Sequence, residues 1–245
     1  MKQKKVGFLI IGDEILCGKT QDVNLKTLAL KLGEKGYAIG EVRIVADEYE
    51  EIIFSVNELR KKYFLVFTSG GIGPTHDDIT AEAISKAFNL PCEFNEEAVQ
   101  LLHNHYLNLN LEFNEARKRM TRMPKGAILI ENPISKAPAF KIENVCVLAG
   151  VPKIFEAMLN CFLKELPEGL KMHSLSLETE KVTEGNIALE LEKVQNKLLG
   201  KVFIGSYPKM KEEGGFKLQI TFRSLDEILA KQAYDEVEKI ISSFV

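Results

Sequence analysis

Short apolar runs alternate with amphipathic helical segments along roughly the first 165 residues, which leaves few folds open to the chain. The run VGFLII, which ends at Gly12, is apolar throughout and lacks the alternation of a half-exposed strand. Such strands, separated by helices, are typical of a mostly parallel sheet with helices on both faces. The predicted strands cover 6–11, 41–47, 63–67, 126–132 and 144–150, and the predicted helices cover 23–36, 49–63, 77–88, 95–109 and 152–166.

The pattern changes after the segment LPEGLK. From His173 the predicted order is strand, helix, strand, strand, helix, at 173–182, 185–199, 201–207, 216–223 and 226–243. A β-α-β-β-α unit of about seventy residues is large enough for a small α+β domain. We therefore expect an α/β domain over residues 1–168 and a small α+β domain over residues 169–245.

Composition argues against several classes of protein. The chain has 245 residues and a net charge of -3, whereas nucleic-acid-binding proteins are usually basic with a clustered patch. Its four cysteines include no Cys-x-x-Cys pair, which disfavours a zinc knuckle or a thioredoxin-like motif. The apolar run near the amino terminus is too short for a signal peptide or a membrane span. We expect a cytoplasmic protein that binds neither nucleic acid nor membranes.

Polar residues and glycines follow several of the predicted strands. Ligands of open parallel sheets bind beyond the carboxyl ends of the strands, so these residues are expected to share one cleft. They are Asp13, Glu14 and Asn24 after the first strand, Asp47 after the second, the segment Thr68–Thr80 after the third, and Gly150 and Pro152 after the last.

The segment TSGGIGPTHDDIT, Thr68–Thr80, combines three glycines with two adjacent aspartates before a predicted helix. Glycines let the backbone approach a ligand closely, and free N–H groups at a helix amino terminus bind anions such as phosphate. Carboxylates beside phosphate repel it unless a divalent cation lies between them. Asp77 or Asp78, with Asp47, is therefore predicted to hold Mg²⁺ or Mn²⁺.

Structural roles for the same residues stay open at this point. The glycine run is also compatible with a turn, and Asp77 or Asp78 with a helix cap. Asp13 and Glu14 are equally compatible with fixing their own loop. His76 either contacts phosphate or faces solvent. The segment is neither a Walker loop nor a dinucleotide-binding fingerprint, because the lysine and the glycine spacing of those motifs are absent.

The motifs GDEIL-G, D-N, TSGGIGPTHDDIT, NPISKAPAF and AGVP occur in the order seen in the amino-terminal domain of the CinA family. This domain is similar to the molybdopterin-binding domain of molybdenum-cofactor proteins and to the amino-terminal domain of eukaryotic FAD synthase. The resemblance implies a three-layer α/β/α fold and a homo-oligomer, either a dimer or a trimer. The segment after residue 169 also resembles the small second domain of CinA-like proteins and a KH-type fold.

The resemblance implies that Asp47 and Asp78 are the catalytic, metal-binding aspartates, supported by Asp77. The implied activity is divalent-metal-dependent cleavage of the phosphoanhydride in ADP-ribose-like or FAD-like dinucleotides, with Mg²⁺, Mn²⁺ or Co²⁺. One alternative is a molybdopterin-binding or molybdopterin adenylyltransferase-type protein, and another is a non-catalytic assembly module with a retained pocket. The predicted substrate-binding residues are Gly12, Asp13, Glu14, Asn24, Thr68, Ser69, Gly70, Gly71, Gly73, Thr75, His76, Lys136, Gly150 and Pro152.

One motif departs from the family pattern. The family usually has glycine where this chain has Ala139, within Ala137-Pro138-Ala139-Phe140. We expect the added methyl group to narrow the approach of the backbone to a ligand.

Overall fold

A computed structural model describes residues 3–211 and 214–244, which form two compact units. The first unit ends at Gly169 and the second begins at Leu170. The outermost residues of the two predicted domains, 1–2 and 245, lie outside the described residues.

The first unit contains most of the strands and helices. Its strands are β1 (Lys5–Ile11), β2 (Ala38–Val45), β3 (Leu65–Ser69), β4 (Cys92–Phe94), β5 (Arg122–Pro124), β6 (Ile128–Ile130), β7 (Ala139–Ile142) and β8 (Val145–Leu148). Its helices are α1 (Asp13–Leu16), α2 (Asn24–Glu34), α3 (Tyr49–Lys62), α4 (Thr80–Ala87), α5 (Glu96–Asn108), α6 (Glu115–Arg119) and α7 (Pro152–Glu165).

Within the described residues, the main sheet of this unit has six strands in the order β2-β1-β3-β8-β7-β6. The pairs β1–β2, β1–β3 and β3–β8 are parallel, whereas β7 runs antiparallel to both of its neighbours. The prediction of a mostly parallel sheet is therefore confirmed.

Both faces of this sheet are buried. Successive side chains of a strand point to opposite faces, so Phe8 packs in one core while Leu9 packs in the other. The first core contains buried residues of α2 and α7, and the second contains buried residues of α3 and α4. This arrangement confirms the three-layer α/β/α fold.

Some details of the first unit differ from the prediction. The sequence did not indicate β7, because its four residues follow the loop-like segment NPISKAP and carry too little periodicity. A two-residue turn joins β7 to β8, and Glu143 adopts a φ of 47° there. The methyl group of Ala139 lies in a core cluster at the start of β7, and the residue does not line the cleft described below. The expected narrowing of the ligand approach is therefore wrong.

The second unit has the β-α-β-β-α order that the sequence predicts. Its elements are β9 (His173–Thr179), α8 (Glu184–Lys197), β10 (Val202–Met210), β11 (Phe216–Ser224) and α9 (Glu227–Ser242). The strands form an antiparallel sheet in the order β10-β11-β9, and α8 and α9 share a core with it. Across residues 3–211 and 214–244, the structure contains no helix with the length and hydrophobicity needed to cross a bilayer.

Candidate functional site

A cleft of about 590 Å³ lies beyond the carboxyl ends of β1, β3 and β8, where an open parallel sheet binds its ligands. The glycine loop, residues 70–78, forms one wall of this cleft, and the start of α7 forms another. The lining residues are Ile11, Gly12, Glu14, Thr20, Asp47, Gly70, Gly71, Ile72, Gly73, Pro74, Asp77, Asp78, Met120, Asn132, Ser135, Ala137, Ala149, Gly150, Val151, Pro152, Ile154 and Met158.

Close packing of the chain already requires glycine at two positions of the loop. Gly70 has a φ of 110°, and a side-chain carbon added there would lie 2.1 Å from the carbonyl oxygen of Ile11. Gly71 has a φ of 67°, and the same addition would lie 2.1 Å from the hydroxyl of Thr80. The sequence suggested ligand approach as the reason for these glycines, and the structure adds the contacts with β1 and α4.

Asp78 stabilises the glycine loop through three hydrogen bonds. Its carboxylate accepts hydrogen bonds from the N–H of Gly73 (2.7 Å), the N–H of Thr75 (2.7 Å) and the hydroxyl of Thr75 (2.5 Å). The helix predicted from residue 77 begins at Thr80 instead, and Asp78 does not cap it. Asp78 therefore stabilises the conformation of the loop to which it belongs. Its role as a metal ligand stays a prediction.

Asp47 also lines the cleft, two residues beyond the end of β2. Its Oδ2 accepts a hydrogen bond from the N–H of Asp13 at 3.0 Å. Partial burial raises the pKa of Asp47, and the negative charges of Asp13, Glu14 and Asp77 raise it further. A perturbed carboxyl group in a cleft is typical of a functional site.

The neighbouring carboxyl group of Asp77 is shifted in the opposite direction. The nearby Thr75 hydroxyl, which the carboxylates of Asp77 and Asp78 share, lowers the pKa of Asp77, with smaller contributions from its own backbone and from His76. Asp77 therefore ionises first as the pH rises, and its charge then opposes the ionisation of Asp47.

The charges that line the cleft favour a cation. Four lining residues carry carboxylates, and none of the lining residues is lysine or arginine. Carboxylate oxygens are the ligands that Mg²⁺ prefers, and Mg²⁺ commonly takes only one or two of them together with phosphate oxygens of the substrate. Over residues 3–211 and 214–244, no group of three or more His, Cys, Asp or Glu side chains is arranged to hold a metal. The donor set thus fits a cation that the ligand helps to hold, rather than a metal centre built by the protein alone.

The substitution Asp47→Asn is expected to stabilise the protein at neutral pH. Asparagine keeps an oxygen that accepts the Asp13 N–H bond but removes a charge that the folded state disfavours. Because folding raises the pKa of Asp47, ionisation of this carboxyl group destabilises the folded state. The destabilisation is fully present at a pH above the pKa in the folded state, and it is absent at a pH below the ordinary pKa of 3.8. We expect the midpoint of thermal unfolding to rise by about 1–3 °C at pH 7, since solvent screens the site. The gain should shrink as the pH falls toward 3.8. A lower midpoint for the variant at pH 7 would contradict this prediction.

The structure brings many of the predicted site residues together in the cleft. Those that line it are Gly12, Glu14, Asp47, Gly70, Gly71, Gly73, Asp77, Asp78, Gly150 and Pro152. Those outside its lining are Asp13, Asn24, Thr68, Ser69, Thr75, His76 and Lys136. The N–H of Asp13 donates to Asp47 and the N–H of Thr75 donates to Asp78, so both contact carboxylates of the cleft. Lys136 lines a separate pocket, and its Nζ lies 4.0 Å from Oε1 of Glu131.

Asn24 holds three chain segments together behind the cleft. Its side-chain amide donates to the Ser69 hydroxyl at 2.8 Å and to the Gly150 carbonyl at 2.7 Å. These bonds join the start of α2 to the ends of β3 and β8. Asn24 is 4 % exposed, and its Oδ1 has no hydrogen-bond partner among the described residues.

The predicted set did not include Asn132, which also lines the cleft. Its side-chain amide donates to the Ser135 hydroxyl at 2.6 Å and to the Ala137 carbonyl at 2.9 Å, and its Oδ1 accepts from the N–H of Ile134. These bonds hold the loop before β7 against the cleft. The dipeptide Asn132-Pro133, a common turn signal, was the available clue.

Comparisons with known proteins match both units. A family model described as "Probable molybdopterin binding domain" matches residues 7–168, and one described as "FAD synthase, middle domain" matches residues 171–244. A protein from Sulfurisphaera tokodaii is 34% identical over 244 residues, which cover 94% of this chain and 92% of the relative. A protein from Pyrococcus abyssi is 40% identical over 167 residues, which cover 63% of this chain and 66% of the relative.

A solved structure shares the fold of the first unit. The CinA protein of unknown function from Thermoplasma acidophilum superposes with a TM-score of 0.61 at 29% identity. The match covers 66% of this chain and 98% of that protein.

Proposed function

This chain belongs to the molybdopterin-binding-domain family, and on that premise we propose that its cleft hydrolyses a phosphoanhydride with the help of a divalent cation. The proposed substrates are ADP-ribose-like or FAD-like dinucleotides. The match of the second unit to the middle domain of FAD synthase supports a flavin or adenine nucleotide as the ligand class.

The charge of the cleft is the observation that carries the proposal. Its lining contains the carboxylates of Glu14, Asp47, Asp77 and Asp78 and no basic side chain. A diphosphate therefore enters favourably only together with a cation. Asp47 and Asp77 are the carboxylates best placed to hold that cation, because the oxygens of Asp78 already accept bonds within the loop.

Backbone N–H groups supply the complementary contacts to phosphate. In the part of the chain that the structure describes, the N–H groups of Gly71 and Ile72 have no hydrogen-bond partner, and both residues line the cleft. Helix α7 begins at Pro152 in the cleft wall, and its first turn has unpaired N–H groups. Donors held in place before the reaction stabilise the charge that develops on phosphoryl oxygens. The cation, when bound, neutralises the same oxygens.

A second candidate function is binding or adenylylation of molybdopterin. The description of the family model favours it, and the cleft can hold a phosphate-bearing pterin through the same contacts. This function would use ATP and would leave dinucleotides intact. A non-catalytic assembly module is the third candidate, and it would turn over no phosphoanhydride.

A substrate screen separates these candidates. The purified full-length chain is incubated with ADP-ribose, FAD, NAD or diadenosine polyphosphates, with Mg²⁺, Mn²⁺ or Co²⁺, and the products are separated by chromatography. We expect metal-dependent cleavage of ADP-ribose or FAD that a chelator stops. A parallel incubation contains molybdopterin and ATP with the same metals. Adenylylation of molybdopterin there, without dinucleotide cleavage in the screen, would establish the second candidate instead. No turnover with any metal would overturn both enzymatic proposals.

The cytoplasmic location and the dimer or trimer stay predictions.

A further inference from the structure

Glu14 differs from the other three carboxylates that line the cleft. Asp78 accepts hydrogen bonds from its own loop, and Asp47 accepts one from a backbone N–H. Asp77 shares the Thr75 hydroxyl with Asp78. In the part of the chain that the structure describes, the Glu14 carboxylate accepts no hydrogen bond and makes no ion pair. Its oxygens are therefore available to accept a proton from a ligand or from water.

The backbone of Glu14 is held in place, although its carboxylate has no partner. Glu14 belongs to α1, directly beyond β1, and its carbonyl oxygen accepts a hydrogen bond from the N–H of Thr20 at 3.0 Å. The side chain folds back over Gly12, because a side-chain carbon added to Gly12 would lie 2.7 Å from Oε1 of Glu14 and 2.8 Å from Oε2. The glycine thus leaves the space that the carboxylate occupies at the end of β1.

The Glu14 carboxylate lies close to the proposed cation site. It contacts Gly12, whereas Oδ2 of Asp47 accepts a hydrogen bond from the N–H of Asp13, the next residue. The two carboxylates therefore contact consecutive positions of the chain. In agreement with this arrangement, the negative charge of Glu14 contributes to the raised pKa of Asp47. Gly12, Glu14 and Asp47 all line the cleft.

We propose that Glu14 is the general base of the cleft and removes a proton from the water that attacks the phosphoanhydride. This inference rests on the proposed function. A lone pair of the water oxygen forms the new bond to phosphorus, and one O–H bond of the water breaks as its proton moves to Glu14. The bond from phosphorus to the bridging oxygen breaks, and its electron pair stays on the leaving phosphate. Glu14 then releases the proton to solvent.

Proton transfer and cation binding require different carboxylates. A carboxylate beside a bound cation is stabilised in its charged form and accepts a proton poorly. Asp47 and Asp77 are the proposed ligands of the cation, and Asp78 is engaged within its loop. Glu14 is the lining carboxylate that none of these roles uses, and its backbone is fixed at the edge of the cleft.

Glu14→Gln tests the proposal in the full-length chain, because glutamine keeps the length of the side chain but has no carboxylate to take up a proton. With the dinucleotide that the screen identifies, we expect kcat to fall by on the order of 10²–10⁴-fold. Binding of Mn²⁺ in the presence of α,β-methylene-ADP, measured by calorimetry, should stay within about threefold of the wild type. Glu34→Gln is the matched control, since Glu34 is exposed and does not line the cleft. It should match the wild type in both measurements.

Chemical rescue separates a missing base from a structural defect. Glu14→Ala leaves a gap beside Gly12 that formate, a small carboxylate, can fill. Formate should restore part of the kcat of Glu14→Ala but none of the kcat of Glu14→Gln, whose amide occupies the gap. Thermal unfolding verifies that both variants are folded.

The outcomes that overturn the proposal are distinct. Weaker Mn²⁺ binding by Glu14→Gln would assign Glu14 to the cation instead. Wild-type activity of Glu14→Gln, or a Glu14→Ala variant that formate does not rescue, would exclude Glu14 as the base and leave the proposed function intact. Absence of dinucleotide cleavage by the wild type would overturn the proposed function and this inference together.

Discussion

Asp47→Asn is expected to abolish phosphoanhydride hydrolysis while the protein stays folded. The substitution keeps the hydrogen bond from Asp13 but removes the carboxylate charge that we propose holds the cation. Loss of one preorganised electrostatic contact commonly lowers kcat by on the order of 10²–10³-fold. The rates are measured with the dinucleotide that the screen identifies, at saturating metal, and thermal unfolding verifies the fold. The same variant should be slightly more stable than the wild type, because the charge that serves catalysis costs folding energy.

Glu48→Gln is the matched control for this experiment. Glu48 is the next residue along the chain, is exposed and does not line the cleft. It should retain the wild-type rate within about threefold, since surface substitutions have small effects. If Asp47→Asn retained activity to the same extent, Asp47 would have no role in holding the cation.

Gly70→Ala is expected to cause the largest loss of stability of any single methyl addition in the glycine loop. The added carbon would lie 2.1 Å from the backbone carbonyl oxygen of Ile11, so the end of β1 or the loop must move. The φ of 110° adds strain, because residues with side chains rarely adopt it. We expect the free energy of unfolding to fall by about 3 kcal/mol or more, combining backbone strain with overpacking. Chemical denaturation monitored by circular dichroism measures the change.

Two comparison variants separate strain from collision. Gly126 also has a positive φ, 80°, but an added carbon there meets nothing within 4 Å, so Gly126→Ala should cost only about 1 kcal/mol. Gly71→Ala collides with the Thr80 hydroxyl, and Thr80→Ala in the same chain should restore part of the loss. No side-chain substitution can relieve the contact of Gly70 with a backbone oxygen. A Gly70→Ala variant as stable as Gly126→Ala would show that β1 adapts without cost.

Local patterns in the sequence predicted the elements near the candidate site well. The apolar run before Gly12 forms β1, and the helix predicted over 95–109 forms α5, which Asn95 caps by accepting a hydrogen bond from the N–H of Ala98. The pattern failed where the element was short, as for β7, or where a tertiary contact set the boundary. Helix α4 begins at Thr80 and not at Asp77, because the carboxylate of Asp78 holds the preceding residues in the loop.

The sequence by itself determined the longer strands and helices, the presence of helices on both faces of the main sheet and the end of the sheet at which glycines and carboxylates gather. Hydrophobic periodicity and turn residues are local properties, so they can be recognised without coordinates. Only the tertiary structure decided that Asp78 accepts hydrogen bonds from its own loop, that Asp47 accepts one from Asp13, 34 residues earlier, and that Asn24 donates to both Ser69 and Gly150. These outcomes depend on contacts between residues that are distant along the chain and that compete for the same hydrogen-bond donors and acceptors. The spacing of residues along the chain does not show which of these contacts form.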